Sequence, residues 1–381
     1  MQKSLLPRFE AIRPYLEQVD TNRWYSNRGP LVWDFEQRLS RIMGCSNHAA
    51  ITFSSGTSAL EAAILGHAGQ ADPARPIALV PSYTFVATAH AAVRCGYRVH
   101  FVDVDPETWM LDPARIVQHH MLPETGVVLP VAAFGRRPDL EKWGALQSMT
   151  GIPVVVDAAA AFEHFITPHT QVSAEVPAAL SFHATKAFTS AEGGAVLSQD
   201  TELLRRLAKI ANFGMNDERV CELPGLNGKM SEYHAAVGLA CLDSWQERTV
   251  RYRALASQWQ DATSDWPGRV FTTPDISAAY VAWEAPDAET SRAVEAALER
   301  ARIGTRRWYG MGLHRQPQFA GANADAMTVT ETLGTRHLGL PAAIDLTRDM
   351  IDTIAEVALS AMMPSNINFE RFVSKKERVY R

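Results

Sequence analysis

Short apolar runs take turns with helix-like segments along most of this chain, and that alternation limits what it can fold into. Ala49 to Ser54 reads as a strand running into a helix from Gly56 to His67. The run Ile77 to Pro81 precedes an alanine-rich helix over Thr84 to Cys95. Arg98 to Val104 and Val127 to Val131 read as strands, with helices over Asp112 to His119 and Leu140 to Met149. Ile152 to Val156 then delivers Asp157 at its end. Strands alternating with helices predict an α/β fold whose mostly parallel sheet is covered on both faces. Ligands of such sheets bind beyond the carboxyl ends of the strands. Thr52 to Thr57, Pro81 to Phe85 and Asp157 all fall at such ends.

The texture changes beyond residue 230. Ser231 to Trp259 reads as one long helical pattern connecting two domains, and Val270 to Glu284 reads as strand-rich around Ala278 to Trp283. Helices over Ser291 to Arg302 and Thr347 to Met362 complete a smaller α/β domain. The expected division is residues 1–245 for an N-terminal arm and large domain and 246–381 for the small one, ending in a basic tail from Phe369 to Arg381. A formal net charge of −5 gives no electrostatic footprint for nucleic acid. No apolar run approaches the ~18 residues of a spanning helix. Cys45, Cys95, Cys221 and Cys241 lack CxxC or metal-ligand spacing, which predicts free thiols and a cytoplasmic protein. The histidines, among them His119, His120, His164 and His169, form no HExxH pair, and Gly193-Gly194 has no GxGxxG spacing. No metal is expected.

One constellation carries chemistry. Lys186 closes Ser181-Phe182-His183-Ala184-Thr185-Lys186 just ahead of Gly193-Gly194, and Asp157 stands at a strand end. A lysine and an aspartate so presented suit pyridoxal 5′-phosphate. The lysine forms a Schiff base with its aldehyde, and the aspartate keeps the ring nitrogen protonated so that the ring accepts electrons. Ser54-Ser55-Gly56-Thr57-Ser58 places small hydroxyl residues where a strand turns into a helix, the setting of a phosphate site. The same residues also make an ordinary N-cap.

Taken together these motifs resemble the DegT-type sugar aminotransferases, pyridoxal-phosphate enzymes of fold type I. The resemblance begins loosely at Asn27-Arg28-Gly29-Pro30 with Phe35-Glu36, and continues through Ser55 to Leu60, Val80 to Thr88 and Val102 to Asp105. Val131 to Gly135, Asp157-Ala158-Ala159, Ser181 to Lys186, and Asn227 with Met230-Ser231-Glu232 follow in family order. Arg306 to Tyr309, His314 and Leu340-Pro341 extend it toward the C-terminus.

The resemblance assigns roles. Lys186 matches the Schiff-base lysine and Asp157 the partner of the pyridinium nitrogen. Phe85 matches the aromatic stacked on the ring, and Gly56, Thr57, Ser58 and Ser181 match the phosphate contacts. Asn227 matches an asparagine that reaches the phosphate of a neighbouring subunit, implying a homodimer with shared active sites; Asn227-Gly228 is also a tight-turn dipeptide. His183, Arg306, Tyr309 and His314 are expected near the substrate, with Arg307 and Trp308 beside them. The sequence departs from the pattern at Ala160, where the family often has Gln or His in contact with the ring's phenolic oxygen. Relatives with histidine at the lysine position dehydrate sugars, so Lys186 argues for amino transfer. The implied reaction moves an amino group from glutamate to a keto group of a nucleotide-linked deoxysugar. Sugar dehydration or decarboxylation on the same fold, or a non-catalytic regulator that binds the cofactor, stay open at this stage.

Overall fold

A computed structural model describes residues 5–166 and 171–362. The basic tail expected from Phe369 to Arg381 and His169 lie outside the described residues. The strands are β1 (Ala50–Phe53), β2 (Ile77–Pro81), β3 (Arg98–Val102), β4 (Thr125–Val128), β5 (Val156–Asp157), β6 (Ala178–Ser181), β7 (Gly194–Leu197), β8 (Arg269–Phe271), β9 (Val281–Glu284), β10 (Asn323–Ala324) and β11 (His337–Leu340).

Most of them build one sheet. β1, β7, β6 and β5 are neighbours in that order, and so are β10, β3, β2 and β4. Parallel bridges Val128–Val154 and Val131–Asp157 join the two groups between β4 and β5. The β2–β3, β2–β4 and β5–β6 pairs are parallel, whereas β7 runs against both β1 and β6. β1 and β2 are buried at every position, as continuous apolar runs must be in a sheet covered on both faces. The helix Thr201–Ala211 shows how the cover forms. Asp200 caps it by accepting from the N–H groups of Glu202 and Leu203, and Leu203, Leu204, Leu207 and Ile210 bury one face.

After residue 262 the chain forms a three-stranded antiparallel sheet in the order β11–β9–β8, with the helices Ala288–Arg300 and Arg348–Met362 packed on one another. The segment between returns to the large sheet, where β10 adds an edge strand parallel to β3.

Two expectations are corrected here. The single helix expected from Ser231 to Trp259 is two, Glu232–Asp243 and Trp245–Ala262, broken at Ser244 (φ −96°, ψ 4°). The Ser244 hydroxyl bonds the carbonyls of Ala240 and Cys241, a local bond that competes with helix continuation. The break turns Trp245 into the rings of Phe162 (centroids 5.1 Å) and Phe188 (5.7 Å). The strand-rich reading of Val270 to Glu284 resolves into the hairpin strands β8 and β9 around a loop. That loop leaves the sheet because its amides bond elsewhere: Ser277 N–H donates to the Phe134 carbonyl (2.8 Å) and Ala278 N–H to the Glu163 carboxylate (3.0 Å).

Candidate active site

Asp157 ends β5 at the middle of the large sheet and is 7 % exposed. Its Oδ2 accepts from the Thr88 hydroxyl at 2.7 Å and its Oδ1 from the Ala159 N–H at 3.0 Å. Burial raises its pKa, opposed by those two bonds and by the positive charge of Lys186. A buried carboxylate held by two donors and still short of positive charge is built to receive a cation.

Lys186 lies in the turn between β6 and β7, where its N–H bonds the His183 carbonyl (2.9 Å). Its Nζ donates to the Tyr280 hydroxyl at 3.1 Å. Tyr280 is on the loop between β8 and β9, so the hairpin sheet closes over the lysine.

The turn after β1 has the form of a cradle. Ser55 caps the helix Gly56–His67 in a reciprocal box with Ser58, and the Ser58 hydroxyl is further engaged by Ser54. A Cβ at Gly56 would come within 2.6 Å of the Ser181 Cβ and 2.9 Å of its Oγ. At Gly194 a Cβ would sit 2.6 Å from the Ser55 carbonyl oxygen and 2.7 Å from the Gly56 Cα. Three segments therefore meet at backbone contact, leaving a helix N-terminus that begins with Gly56 and Thr57 and is flanked by the Ser181 hydroxyl. That is the geometry of an anion site. The sequence-predicted Gly56, Thr57 and Ser181 share this place. Ser58 also belongs to it, but its hydroxyl is spent on the cap.

Phe85 is the N-cap residue of the helix Val86–Arg94 and is 55 % exposed. Its carbonyl accepts from the Thr88 N–H (3.3 Å), so the residue that orients Asp157 stands one turn from Phe85. Behind this corner is an aromatic wall. Tyr309 meets Tyr83 edge-on (5.0 Å) and Phe134 tilted (5.2 Å), and Tyr280 lies edge-on to Phe134 (5.7 Å) and Trp308 (5.4 Å). Burial pushes the Tyr309 phenol far up, helped by the negative charges that Tyr280 and Asp157 would carry. Tyr309 therefore stays neutral.

The other predicted residues are more dispersed. His314 is held in a clasp, its Nδ1 2.7 Å from the Ser82 hydroxyl and its Nε2 3.1 Å from Glu331. Ser82 follows β2, so His314 abuts the strand end that carries Phe85. Arg306 is exposed and stacks over the Trp308 ring at 4.2 Å. The neighbouring Arg307 instead turns to Glu295 and Ser291. His183 is exposed, its ring bonded to Thr185 (2.9 Å) and 3.4 Å from Glu192. Asn227 accepts from its own Lys229 at 3.0 Å, beside a basic cleft that includes Arg28, Lys209 and Lys229.

Thr88, Tyr280 and Glu163 were not singled out from the sequence. Their partners lie far away in the chain, and no spacing rule links a threonine on one helix to a strand-end aspartate.

The sequence model of the DegT/DnrJ/EryC1/StrS aminotransferase family matches residues 9–358. The chain belongs to that family. Among its relatives is the erythromycin biosynthesis sensory transduction protein EryC1 of Saccharopolyspora erythraea, 32 % identical over 87 % of this chain and 90 % of the relative. The dTDP-4-amino-4,6-dideoxy-D-glucose transaminase of Escherichia coli is 26 % identical over 94 % of this chain and 97 % of its own. Among solved structures, DesI in the presence of its TDP-sugar product superposes with a TM-score of 0.82 at 28 % identity, covering 99 % of this chain and 96 % of that one.

The cofactor of this aminotransferase is pyridoxal 5′-phosphate, and the residues fit it. Asp157 offers a buried carboxylate for a ring cation, the cradle of Gly56, Gly194 and Ser181 offers donors for a phosphate, and the Lys186 amine stands beside Tyr280. A separate trio, His100, His119 and Asp325, brings ligand-type atoms within 4.8 Å of one another. The His119 Nδ1 accepts from the Met121 N–H, so its ring proton is on Nε2 and is donated to Asp325 (3.0 Å). The trio is a hydrogen-bonded clasp that pins the β10 segment to β3. Among the described residues no helix is long and apolar enough to cross a membrane.

Proposed function

We propose that this chain transfers an amino group from glutamate to a keto group of a nucleotide-linked deoxysugar. The observation that carries the reading is the convergence of Lys186, Asp157 and the Gly56–Ser181 cradle at the carboxyl edge of one sheet. The names of the relatives support the sugar: a dTDP-amino-dideoxyglucose transaminase, and a structure holding a TDP-sugar product.

Bound pyridoxal phosphate supplies an aldehyde for amine exchange and a ring that withdraws electrons. The protein does the rest. Asp157, its orientation fixed by Thr88 and Ala159, would hold a proton on the ring nitrogen. With the cofactor bound, the Lys186 Nζ would be the base that takes and returns a proton at the substrate carbon. Tyr280 gives that amine a resting partner. The wall of Tyr83, Phe134, Tyr309 and Trp308 keeps water from the reacting face. Arg306, exposed at the rim, suits the phosphates of a nucleotide.

The site is proposed to be shared between two copies of the chain. Trp24, Tyr25 and Tyr233 form an exposed aromatic surface, with Tyr25 stacked on Tyr233 (6.2 Å), close to the cleft beside Asn227. Light scattering that finds a fully active monomer overturns the sharing.

The function is tested by incubating the protein, pyridoxal phosphate and glutamate with dTDP-, UDP- and GDP-linked keto-sugars. The expected result is a glutamate-dependent amino-sugar by mass spectrometry, abolished by Lys186→Ala. Dehydrated or decarboxylated products without amino transfer would sink the proposal.

A further inference from the structure

We infer that the Tyr280 hydroxyl is the protein's hydrogen-bond donor to the phenolic oxygen of the bound cofactor, and so sets the pH at which the cofactor's chromophore loses its proton. The inference rests on the site reading above and goes beyond it by assigning a residue on the β8–β9 loop to the cofactor's electronics.

Three observations carry it. First, the Tyr280 oxygen accepts from the Lys186 Nζ at 3.1 Å, so its own proton is left over, with no acceptor for it among the described residues. In pyridoxal phosphate the phenolic oxygen is on the ring carbon next to the one bearing the aldehyde. A hydroxyl beside the lysine nitrogen therefore stands in the neighbourhood of that oxygen. Second, the loop bearing Tyr280 is fixed and not a loose flap. Tyr280 N–H bonds the Ser277 carbonyl (2.9 Å), the Ser277 hydroxyl and the Ala278 N–H both donate to Glu163, and Ser277 N–H bonds the Phe134 carbonyl. Third, the loop docks where the β5 turn has only small residues. A Cβ at Gly135 would meet the Ala160 carbonyl at 2.3 Å and the Ser277 Cβ at 2.4 Å. The Ala160 side chain carries no polar atom, so that turn leaves the phenolic oxygen to a donor from across the site.

The ionisable groups around the Tyr280 hydroxyl are Lys186 and Tyr309, with Asp157 and Glu163 each within electrostatic reach of Lys186. Burial raises both carboxyls. Tyr309, Glu163 and Asp157 are unchanged by Tyr280→Phe, which removes one oxygen and keeps the ring packed against Phe134 and Trp308.

The test is a pH titration of the visible band of the protein loaded with pyridoxal phosphate, wild type against Tyr280→Phe, together with cofactor affinity by equilibrium dialysis. A hydrogen bond to a charged oxygen is worth enough to move a titration by roughly one to two units. The expected result is a midpoint about one unit or more higher in Tyr280→Phe, since a phenolic oxygen without its donor leaves the chromophore holding its proton to higher pH, with weaker cofactor binding. An unchanged midpoint in a variant that shows the band overturns the inference and leaves the aminotransferase reading standing. A wild-type protein that shows no visible band overturns both.

Discussion

Thr88 donates its hydroxyl proton to Asp157 Oδ2 at 2.7 Å across a gap of 69 residues, and in turn lies 3.0 Å from the Thr84 hydroxyl. The bond ties the first turn of the helix after β2 to the end of β5. The helix whose N-cap is Phe85 and the strand that carries Asp157, the proposed ring-nitrogen partner, are therefore tied together. Rigidity of this kind is what a cofactor held from two faces requires.

Thr88→Val keeps the shape and removes the donor. Losing a buried bond to a charged acceptor costs about 1.5–3 kcal/mol, which is on the order of ten- to a hundredfold. The expected outcome is a loss of that size in kcat/KM with a smaller loss of cofactor affinity, read by steady-state kinetics and dialysis. Unchanged kinetics would mean that Ala159 alone orients Asp157.

Gly56→Ala should weaken cofactor binding while leaving the fold intact. The new Cβ would meet Ser181 at 2.6 Å, and relief of such overpacking typically costs about 1–3 kcal/mol. The residues that must give way are those of the proposed phosphate cradle. Calorimetric titration with pyridoxal phosphate measures the change, and an affinity equal to wild type would remove the cradle from the phosphate site.

Asp157→Asn should stabilise the cofactor-free protein at neutral pH and abolish amino transfer. Burial raises the Asp157 carboxyl in the folded state. The fold therefore binds that proton more tightly than the unfolded chain does. Its stability falls as pH rises from the ordinary carboxylate value of about 4 through the raised one. Asparagine carries no charge and removes that slope. Melting temperatures of the cofactor-free proteins between about pH 4 and 8 test the sign. A variant that melts lower at neutral pH contradicts it.

His337 predicts an acid-side weakness. It is buried, its Nδ1 2.6 Å from the Tyr83 hydroxyl and its ring 4.1 Å from Trp109, and burial with nearby Arg136 and Arg269 pushes its pKa down to about 3. The unfolded chain takes up that proton near the usual value of about 6.5. Stability from keeping His337 neutral is present above that value and is lost as pH falls toward 3. His337→Gln should flatten the decline in melting temperature over this range. An unaltered slope would place the acid sensitivity elsewhere.

The sequence by itself determined the parallel-sheet class, because apolar runs such as Ile77–Pro81 suit only a strand buried on both faces. It also marked Lys186, Asp157 and the Gly56 turn, since strand ends and helix starts leave local signatures. It ran Glu232–Asp243 and Trp245–Ala262 together, because one serine's bonds to two carbonyls decide the break and periodicity does not register them. Only the tertiary structure could pair Thr88 with Asp157, Tyr280 with Lys186, and Glu163 with Ser277. These bonds join side chains brought together by sheet order and by a loop drawn off its strand. Their energies depend on burial and distance, which no one-dimensional pattern encodes.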